Sequence, residues 1–233
     1  MMSRGQNNQK NLQNLQAQKA TKLQVIPFLS EDDRQVILSQ GKLVKLNRNR
    51  VLFEEGEPAN RFYLLLSGSV KLTKKRNDST NTLLDIIGPL ELVAAGIMAS
   101  EYEKVYPVTA KAMCQTEVIE LSRAHFDEHW KKHPSLYQYV LEQMAKRMKR
   151  IQDDKNVQRL HLDQKLAYYL TEKVSQIPDL RMTRQDLADA VGSSNESVIR
   201  VLSDWTKQKI ISTQHQEIKI HDFERLKSIW NKD

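Results

Sequence analysis

The feature of this 233-residue sequence that most constrains its fold is a change of hydrophobic pattern near Ser122. Between Gly41 and Ser122, short segments rich in β-branched and aromatic residues alternate with clusters of Gly, Pro, Asn and Asp. After Ser122, apolar residues recur at spacings of three and four. Short strands separated by turn signals are typical of a β-sandwich, roll or barrel, and the later spacing is typical of amphipathic helices. The sequence therefore predicts an α+β chain with a β-rich half followed by a helical half.

The β-rich half, assigned to residues 23–133, is predicted to contain six strands. They lie at 42–46, 51–55, 62–66, 69–73, 81–87 and 116–121. A short helix should precede them, because Ser30 is a favourable N-cap, Asp33 stands at the third helical position and Gly41 can end the helix. Residues 1–22 are rich in Gln, Asn and Lys, can bury little apolar area, and are predicted to form a flexible tail.

A long amphipathic helix is predicted in the segment 134–160. Its apolar residues form one narrow stripe, which consists of Leu136, Val140, Met144, Met148 and Ile151. Such a stripe can cover the helix's own domain, or it can pair with a second copy of the helix in a homodimer. The length of the helix and the narrowness of the stripe favour the homodimer.

Residues 161–233 have the pattern of a winged helix-turn-helix. Thr183 is predicted to cap one helix, which ends at Gly192, and a second helix should open at Ser193 or Ser194. Two short helices joined by a turn with glycine form a helix-turn-helix. Two short strands, at 209–213 and 217–221, would form the wing, and Asp222 would cap a closing helix.

The second of these helices places Glu196 and Arg200 four residues apart, on a face shared with Asn195 and Ile199. One interpretation is a capping box from Ser193 to Glu196 and a surface ion pair worth about 0.2–0.5 kcal/mol. The other is an acceptor and a forked donor presented to base edges in a DNA groove. The two can coexist. The predicted wing and the net charge of +7 favour DNA binding.

Several function classes find no support in the sequence. The one cysteine, Cys114, cannot form a disulfide within the chain or hold an iron–sulfur cluster, and the six histidines lack zinc-site spacing. The sequence shows no nucleophile–base constellation that would indicate an enzyme. Because the sequence lacks an apolar signal region and any long uncharged apolar run, a cytoplasmic protein without membrane association is expected.

Three segments resemble the CRP/FNR family of bacterial transcription regulators. EEGEPANRFYLLLSGSVKL (54–72) is similar to the signature of the family's effector domain, QMAKRMKRIQ (143–152) to its dimerisation helix, and TRQDLADAVGSSNESVIRVLSDW (183–205) to its helix-turn-helix. The resemblance covers nearly all of the chain after the tail. It implies a jelly-roll effector domain, a homodimer through residues 134–160, a near-palindromic site on double-stranded DNA, and contact with RNA polymerase.

The resemblance also implies which residues contact DNA. Glu196 and Arg200 correspond to the residues that read a half-site, the first accepting a hydrogen bond from cytosine and the second binding guanine through two. Asn195 stands where some members carry a second base-reading arginine. The other candidate contacts lie at the starts of the two helices, where phosphates are clamped. They are Thr183, Arg184, Gln185, Ser194 and Ser197.

The segment that corresponds to the family's phosphate-binding cassette, residues 88–112, departs from the pattern. Val93 stands in place of the glutamate of members that bind cyclic AMP, and Tyr106-Pro107 stand in place of their Arg-Ser pair. A missing arginine removes a charge-assisted partner worth about 1.5–3 kcal/mol. We therefore expect cyclic AMP to bind weakly or not at all. Nor does the sequence show a clear axial ligand for haem.

A different small molecule is favoured as the effector over a purely structural role of the β-rich domain. The candidate pocket residues are Gly88, Glu91, Val93, Lys104, Tyr106, Pro107, Ile151 and Gln152. The last two stand where family members contact the purine. An alternative function from another class is a ligand-binding scaffold whose winged helix contacts protein rather than DNA.

Overall fold

The computed structural model describes residues 23, 29–75, 81–157, 159–174, 177, 182–214 and 217–231. The predicted tail, 1–22, lies outside the described residues, and so does the centre of the predicted wing turn. The described residues form an α+β chain with one buried core inside the β-rich domain and a second core in the C-terminal domain, which also includes Leu83, Ile86 and Met113 of the β-rich domain. No helix in these ranges is long and apolar enough to cross a membrane.

The β-rich domain is a jelly-roll of two four-stranded sheets. Helix α1 (Glu31–Gln40) precedes it, with the predicted capping box between Ser30 and Asp33. The strands are β1 (Lys42–Leu46), β2 (Val51–Phe53), β3 (Arg61–Ser67), β4 (Val70–Lys75), β5 (Asn81–Ile87), β6 (Leu92–Val93), β7 (Thr109–Ala112) and β8 (Thr116–Ser122). The sheet orders are β1-β8-β3-β6 and β2-β7-β4-β5, and every pairing is antiparallel.

All six predicted strands are present, whereas β6 and β7 were not predicted. Both extra strands fall within 88–112, the segment that departs from the family's pattern. A short helix, α2 (Ala95–Ala99), lies between them.

Aromatic packing closes one face of the sheet that contains β3. After β8 the chain forms α3 (Arg123–His125) and a π-helical turn (Phe126–Trp130). Phe62 of β3 meets Phe126 and Trp130 edge to face, with ring centroids 5.6 and 4.9 Å apart. All three rings are fully buried, so this cluster fixes the approach of the long helix that follows.

The predicted long helix is α4 (Pro134–Val157). Its apolar stripe divides into two halves. Leu136 and Val140 are buried against the jelly-roll, whereas Met144, Met148 and Ile151 are 47%, 58% and 38% exposed. Each half therefore fits one of the two interpretations drawn from the sequence: the first half covers its own domain, and the second half is only partly covered by the jelly-roll.

The C-terminal domain is a winged helix-turn-helix. Its elements are α5 (Leu162–Tyr168) with a π-helical extension (Tyr169–Val174), α6 (Arg184–Val191), α7 (Asn195–Lys207), β9 (Ile211–Gln214), β10 (Glu217–Ile220) and α8 (Phe223–Trp230). Gly192 ends α6 with a φ of +67°, in the left-handed region that favours glycine. Strands β9 and β10 pair antiparallel as the wing, and Asp222 caps α8 as predicted.

Candidate nucleic-acid interface and ligand pocket

The start of α6 carries the first group of predicted DNA contacts. Thr183 is the N-cap and forms a capping box with Asp186: its hydroxyl accepts from the Asp186 N–H at 3.0 Å, and its own N–H donates to the Asp186 carboxylate at 2.9 Å. Arg184 and Gln185 are exposed on the first turn, and the Gln185 amide donates to Asp189 at 2.8 Å. This arrangement presents an arginine beside a positive helix end, which suits a phosphate.

Ser194, not Ser193, caps the recognition helix α7. The Ser194 hydroxyl accepts from the Ser197 N–H at 3.2 Å, and Ser197 thereby occupies the third helical position. The interpretation that placed a capping box from Ser193 to Glu196 is therefore wrong, because the helix begins one residue later. Glu196 takes no part in the cap.

The outer face of α7 presents Glu196, Ile199 and Arg200 to solvent, while Val198 and Leu202 are buried. This separation follows from the helical period, because residues three and four apart share a face. No ion pair joins Glu196 to Arg200 in the described part of the chain, so the expected surface pair does not form. Both charged groups remain able to bind an external partner.

A cleft of about 680 Å³ separates the recognition helix from the jelly-roll. Its walls are residues 81–84 of β5, side chains of α4 that include Arg147 and Ile151, one side of α6 with the turn that follows it, and the start of α7. Among the predicted DNA contacts, Gln185, Ser194 and Asn195 border this cleft. Asn195 is half-buried, and its side-chain Oδ1 has no hydrogen-bond partner within the described ranges. Asn195 thus stands at the edge of the exposed face that Glu196 and Arg200 share.

A second cavity, of about 270 Å³, lies between the jelly-roll and α4. Its walls are almost entirely apolar. The lining residues are Phe53, Leu72, Leu92, Val93, Ala94, Ala95, Gly96, Ile97, Pro107, Val108, Val140, Gln143, Met144, Arg147, Met148 and Ile151. Only Gln143 and Arg147 bring polar side chains, so the cavity suits a molecule with a large apolar part.

Among the described residues, Arg147 is the one cation of the cavity wall, and an acid compensates its charge. Its Nε lies 3.4 Å from the carboxylate of Asp85, which is buried on β5 and also lies 3.4 Å from Arg150. The guanidinium is therefore already engaged by a carboxylate.

Three of the eight predicted pocket residues line this cavity, namely Val93, Pro107 and Ile151. Tyr106 is buried behind the wall: its ring stacks on Phe53 with centroids 3.7 Å apart, and its hydroxyl donates to the Arg61 carbonyl at 2.7 Å. Burial raises the pKa of Tyr106 above its ordinary value, so this phenol stays neutral.

The structure does not bring the remaining predicted residues to the cavity wall. Glu91 accepts from the Gly88 N–H at 3.0 Å and from Arg150 at 2.6 Å, so it ties a loop to α4. Lys104 and Gln152 are exposed.

Ala94, Met144 and Arg147 line the cavity but were not among the predicted residues. Ala94 has a φ of +65°, a conformation that only the folded chain reveals. For Met144 and Arg147 a signal did exist, because they lie four and seven positions after Val140 on the face of the long helix that meets the jelly-roll.

Comparison with known proteins matches both domains. A model of the cyclic nucleotide-binding domain matches residues 43–133, and a model of the Crp-like helix-turn-helix domain matches residues 164–229. These matches define a two-domain regulator with an effector-binding fold and a DNA-binding module. The chain belongs to the CRP/FNR family of transcription regulators.

The chain is similar to regulators from several bacteria. The chain is 27% identical over 197 residues to the CRP-like cAMP-activated global transcriptional regulator of Mycobacterium tuberculosis, covering 78% of this chain and 85% of the relative. It is also 27% identical to the global nitrogen regulator of a Nostoc species, over 75% of this chain and 82% of the relative. A CRP-family regulator of Thermus thermophilus shares the fold, with a TM-score of 0.72 at 21% identity over 81% of this chain and 97% of that structure.

Proposed function

We propose that this regulator acts as a homodimer that reads a near-palindromic DNA site, with Glu196 and Arg200 as its base-reading residues. One observation carries the proposal: both charged side chains are exposed on the outer face of α7, and neither is paired within the described residues. A carboxylate can accept from cytosine, and a guanidinium can bind guanine through two hydrogen bonds. The proposed role is binding and regulation rather than catalysis.

Contacts with phosphates would fix the recognition helix in the groove. Arg184 is exposed at the start of α6, and Thr183, Gln185, Ser194 and Ser197 lie at the two helix starts that surround it. The net charge of +7 supports a polyanionic partner. Asn195, at the cleft edge, would contribute less to base choice than an arginine could.

The partly exposed second half of the apolar stripe on α4 supports the proposed dimer. Leu141, Met144, Met148 and Ile151 are exposed apolar residues on a helix of 24 residues, and a second copy of the helix would cover them. A two-fold dimer would place its recognition helices about 34 Å apart, one turn of DNA. Contact with RNA polymerase, which the family resemblance implies, completes the proposal.

The effector would be a small molecule other than cyclic AMP. The cavity of about 270 Å³ is small and mostly apolar, and its arginine is engaged by Asp85. A cyclic phosphate in this cavity would lose water without gaining an unengaged cation, which is unfavourable. A compact, largely apolar molecule with one acceptor for Gln143 fits these walls better.

Replacing Arg200 by alanine tests the DNA proposal. We expect Arg200→Ala to lose about 1–3 kcal/mol of binding free energy on a duplex that the wild type selects from a random pool, with little change on a scrambled duplex. The measurement is fluorescence anisotropy at fixed salt. The matched control is Arg184→Ala, which should weaken binding to both duplexes alike because a phosphate contact carries no sequence information.

Equal losses on both duplexes for Arg200→Ala would contradict its base-reading role. If the wild type bound no duplex at physiological salt, the alternative would gain support, namely a ligand-binding scaffold whose winged helix contacts protein.

A further inference from the structure

One side chain of the jelly-roll contacts the helix-turn-helix directly. The Lys71 ammonium, on β4, donates to the carboxylate of Asp186 in the first turn of α6, a residue 115 positions further along the chain. The Lys71 side chain is 19% exposed and that of Asp186 is 7% exposed. The pair is therefore largely shielded from water, where an ion pair is screened less than on the surface.

Asp186 is held rigidly by its own helix. Its carboxylate also accepts from the N–H of Thr183 at 2.9 Å and from the Thr183 hydroxyl at 2.8 Å, within the capping box of α6. Burial acts to raise the pKa of Asp186, but the hydrogen bonds from Lys71 and Thr183 outweigh it and hold the pKa below its ordinary value. Because Asp186 is fixed within the capping box, the Lys71 contact holds the whole start of α6 rather than one mobile side chain.

Apolar packing accompanies this ion pair. Leu83 and Ile86 of β5 belong to the same buried core as Leu187 and Ala188 of α6. In this docked arrangement Glu196 and Arg200 stay exposed, as described above. The contact between the domains therefore holds the recognition helix in a pose that leaves its outer face open.

Strand β4 carries the effector cavity and the Lys71 contact on opposite faces. Successive strand residues point to opposite sides, so Leu72 lines the cavity while Lys71 faces α6. Leu72 pairs with Asp85 of β5, which holds Arg147 and Arg150 of α4. The cavity, the dimer helix and the DNA-binding domain thus meet at one pair of strands.

We propose that Lys71 is a positioning residue for DNA recognition: it fixes the orientation of the helix-turn-helix against the jelly-roll and so sets the half-site spacing that the dimer accepts. This inference rests on the proposed function. In a two-fold dimer, the separation of the recognition helices depends on how each is held against its own effector domain. A fixed orientation lowers the entropic cost of binding to DNA whose half-sites have the matching spacing. It also disfavours binding to DNA with other half-site spacings.

The test compares Lys71→Met with two other lysine variants. Lys71→Arg keeps the charge, and Lys74→Met changes a lysine of the same strand that lies 4.0 Å from Glu55 on the surface. The probes are the duplex selected by the wild type and the same duplex with one or two base pairs added between its half-sites. We expect Lys71→Met to bind the selected duplex about tenfold more weakly, within the usual range of coupling between sites, and to discriminate less between spacings. Lys74→Met and Lys71→Arg should resemble the wild type.

Asp186→Asn provides a second variant from the other side of the contact. It keeps a side-chain oxygen for the capping bonds while it removes the charge, and it should reproduce the loss of spacing preference. Amide hydrogen exchange reports docking without DNA. Exchange in α6 should be faster in Lys71→Met than in Lys74→Met.

Unchanged affinity and spacing preference in Lys71→Met would overturn the inference. Tighter DNA binding by Lys71→Met would also overturn it, because the contact would then hold the DNA-binding domain in an arrangement that opposes recognition. A wild type that cannot distinguish the selected duplex from a scrambled one would instead defeat the proposed function. In that case, hydrogen exchange alone would still show whether Lys71 holds α6.

Discussion

Ser193 and Ser194 are adjacent and chemically identical, yet only Ser194 caps the recognition helix. The Ser193 N–H instead donates to the Ala188 carbonyl at 3.1 Å and completes the turn after α6. Because the cap lies at Ser194, the third helical position falls on Ser197, and the Glu196 carboxylate is not drawn back onto the helix start. A shift of one residue thus decides whether this acid stabilises its own helix or remains able to bind a base.

Alanine substitution distinguishes the two serines. Ser194→Ala should lower the free energy of unfolding by about 1 kcal/mol, because the N–H of Ser197 loses its acceptor. Ser193→Ala keeps its backbone bond and should change the stability by less than about 0.5 kcal/mol. Urea unfolding of both variants checks this. Similar losses in the two would mean that the cap lies elsewhere.

Among the secondary-structure elements, the long helix α4 has an apolar stripe whose two halves have different surroundings. Leu136 and Val140 are buried by its own domain, and Met144 and Met148 line the cavity while remaining about half exposed. The proposed dimer would cover that exposure, and the ligand pocket would then adjoin the subunit interface. A ligand could in this way alter the packing of the two helices.

A charge placed in the exposed half of the stripe should separate the subunits. Met148→Glu would bury a carboxylate without a partner in the proposed interface, so we expect a shift from dimer to monomer in sedimentation velocity. Lys149→Gln changes the net charge by the same amount on the neighbouring position, which is also exposed, and should leave the dimer intact. A wild type that sediments as a monomer at micromolar concentration would contradict the interface.

The sequence predicted those elements whose signals are local. The capping pairs Ser30–Asp33 and Thr183–Asp186 and the glycine turn at Gly192 act within a few residues, and all three are confirmed. Strand β7 escaped prediction because its buried residues are the small Ala110 and Ala112, and because its pairing depends on β2 and β4, far away in the chain.

The pocket was harder to predict than the helices that carry the candidate DNA contacts. The family resemblance placed Val93 among the candidate pocket residues, and Val93 lines the cavity. The resemblance could not show that the Tyr106 ring would stack on Phe53 and that its hydroxyl would donate to the Arg61 carbonyl, because those partners come from other strands. The candidate DNA contacts, by contrast, lie on two consecutive helices, where spacing alone determines the shared face.

At the scale of the whole molecule, the cavity, the helix α4 and the C-terminal domain all contact strands β4 and β5. Leu72 borders the cavity, Asp85 forms an ion pair with Arg147 of α4, and Lys71 forms one with Asp186 of α6. A ligand can shift such a system only to the extent that it binds one arrangement more tightly than another. In the proposed regulator, the chemistry of the cavity would therefore decide which molecules can regulate DNA binding.

Cyclic AMP should not be one of those molecules. Its phosphate would enter a mostly apolar cavity where Arg147 is engaged by Asp85, and it would lack a charge-assisted bond worth about 1.5–3 kcal/mol. Titration calorimetry should show no micromolar binding of cyclic AMP and no advantage over adenosine, which lacks the phosphate. Saturating cyclic AMP should also leave affinity for the selected duplex unchanged, because a ligand without differential affinity shifts no equilibrium. A micromolar dissociation constant together with tighter DNA binding would show instead that Arg147 leaves Asp85 to meet the phosphate.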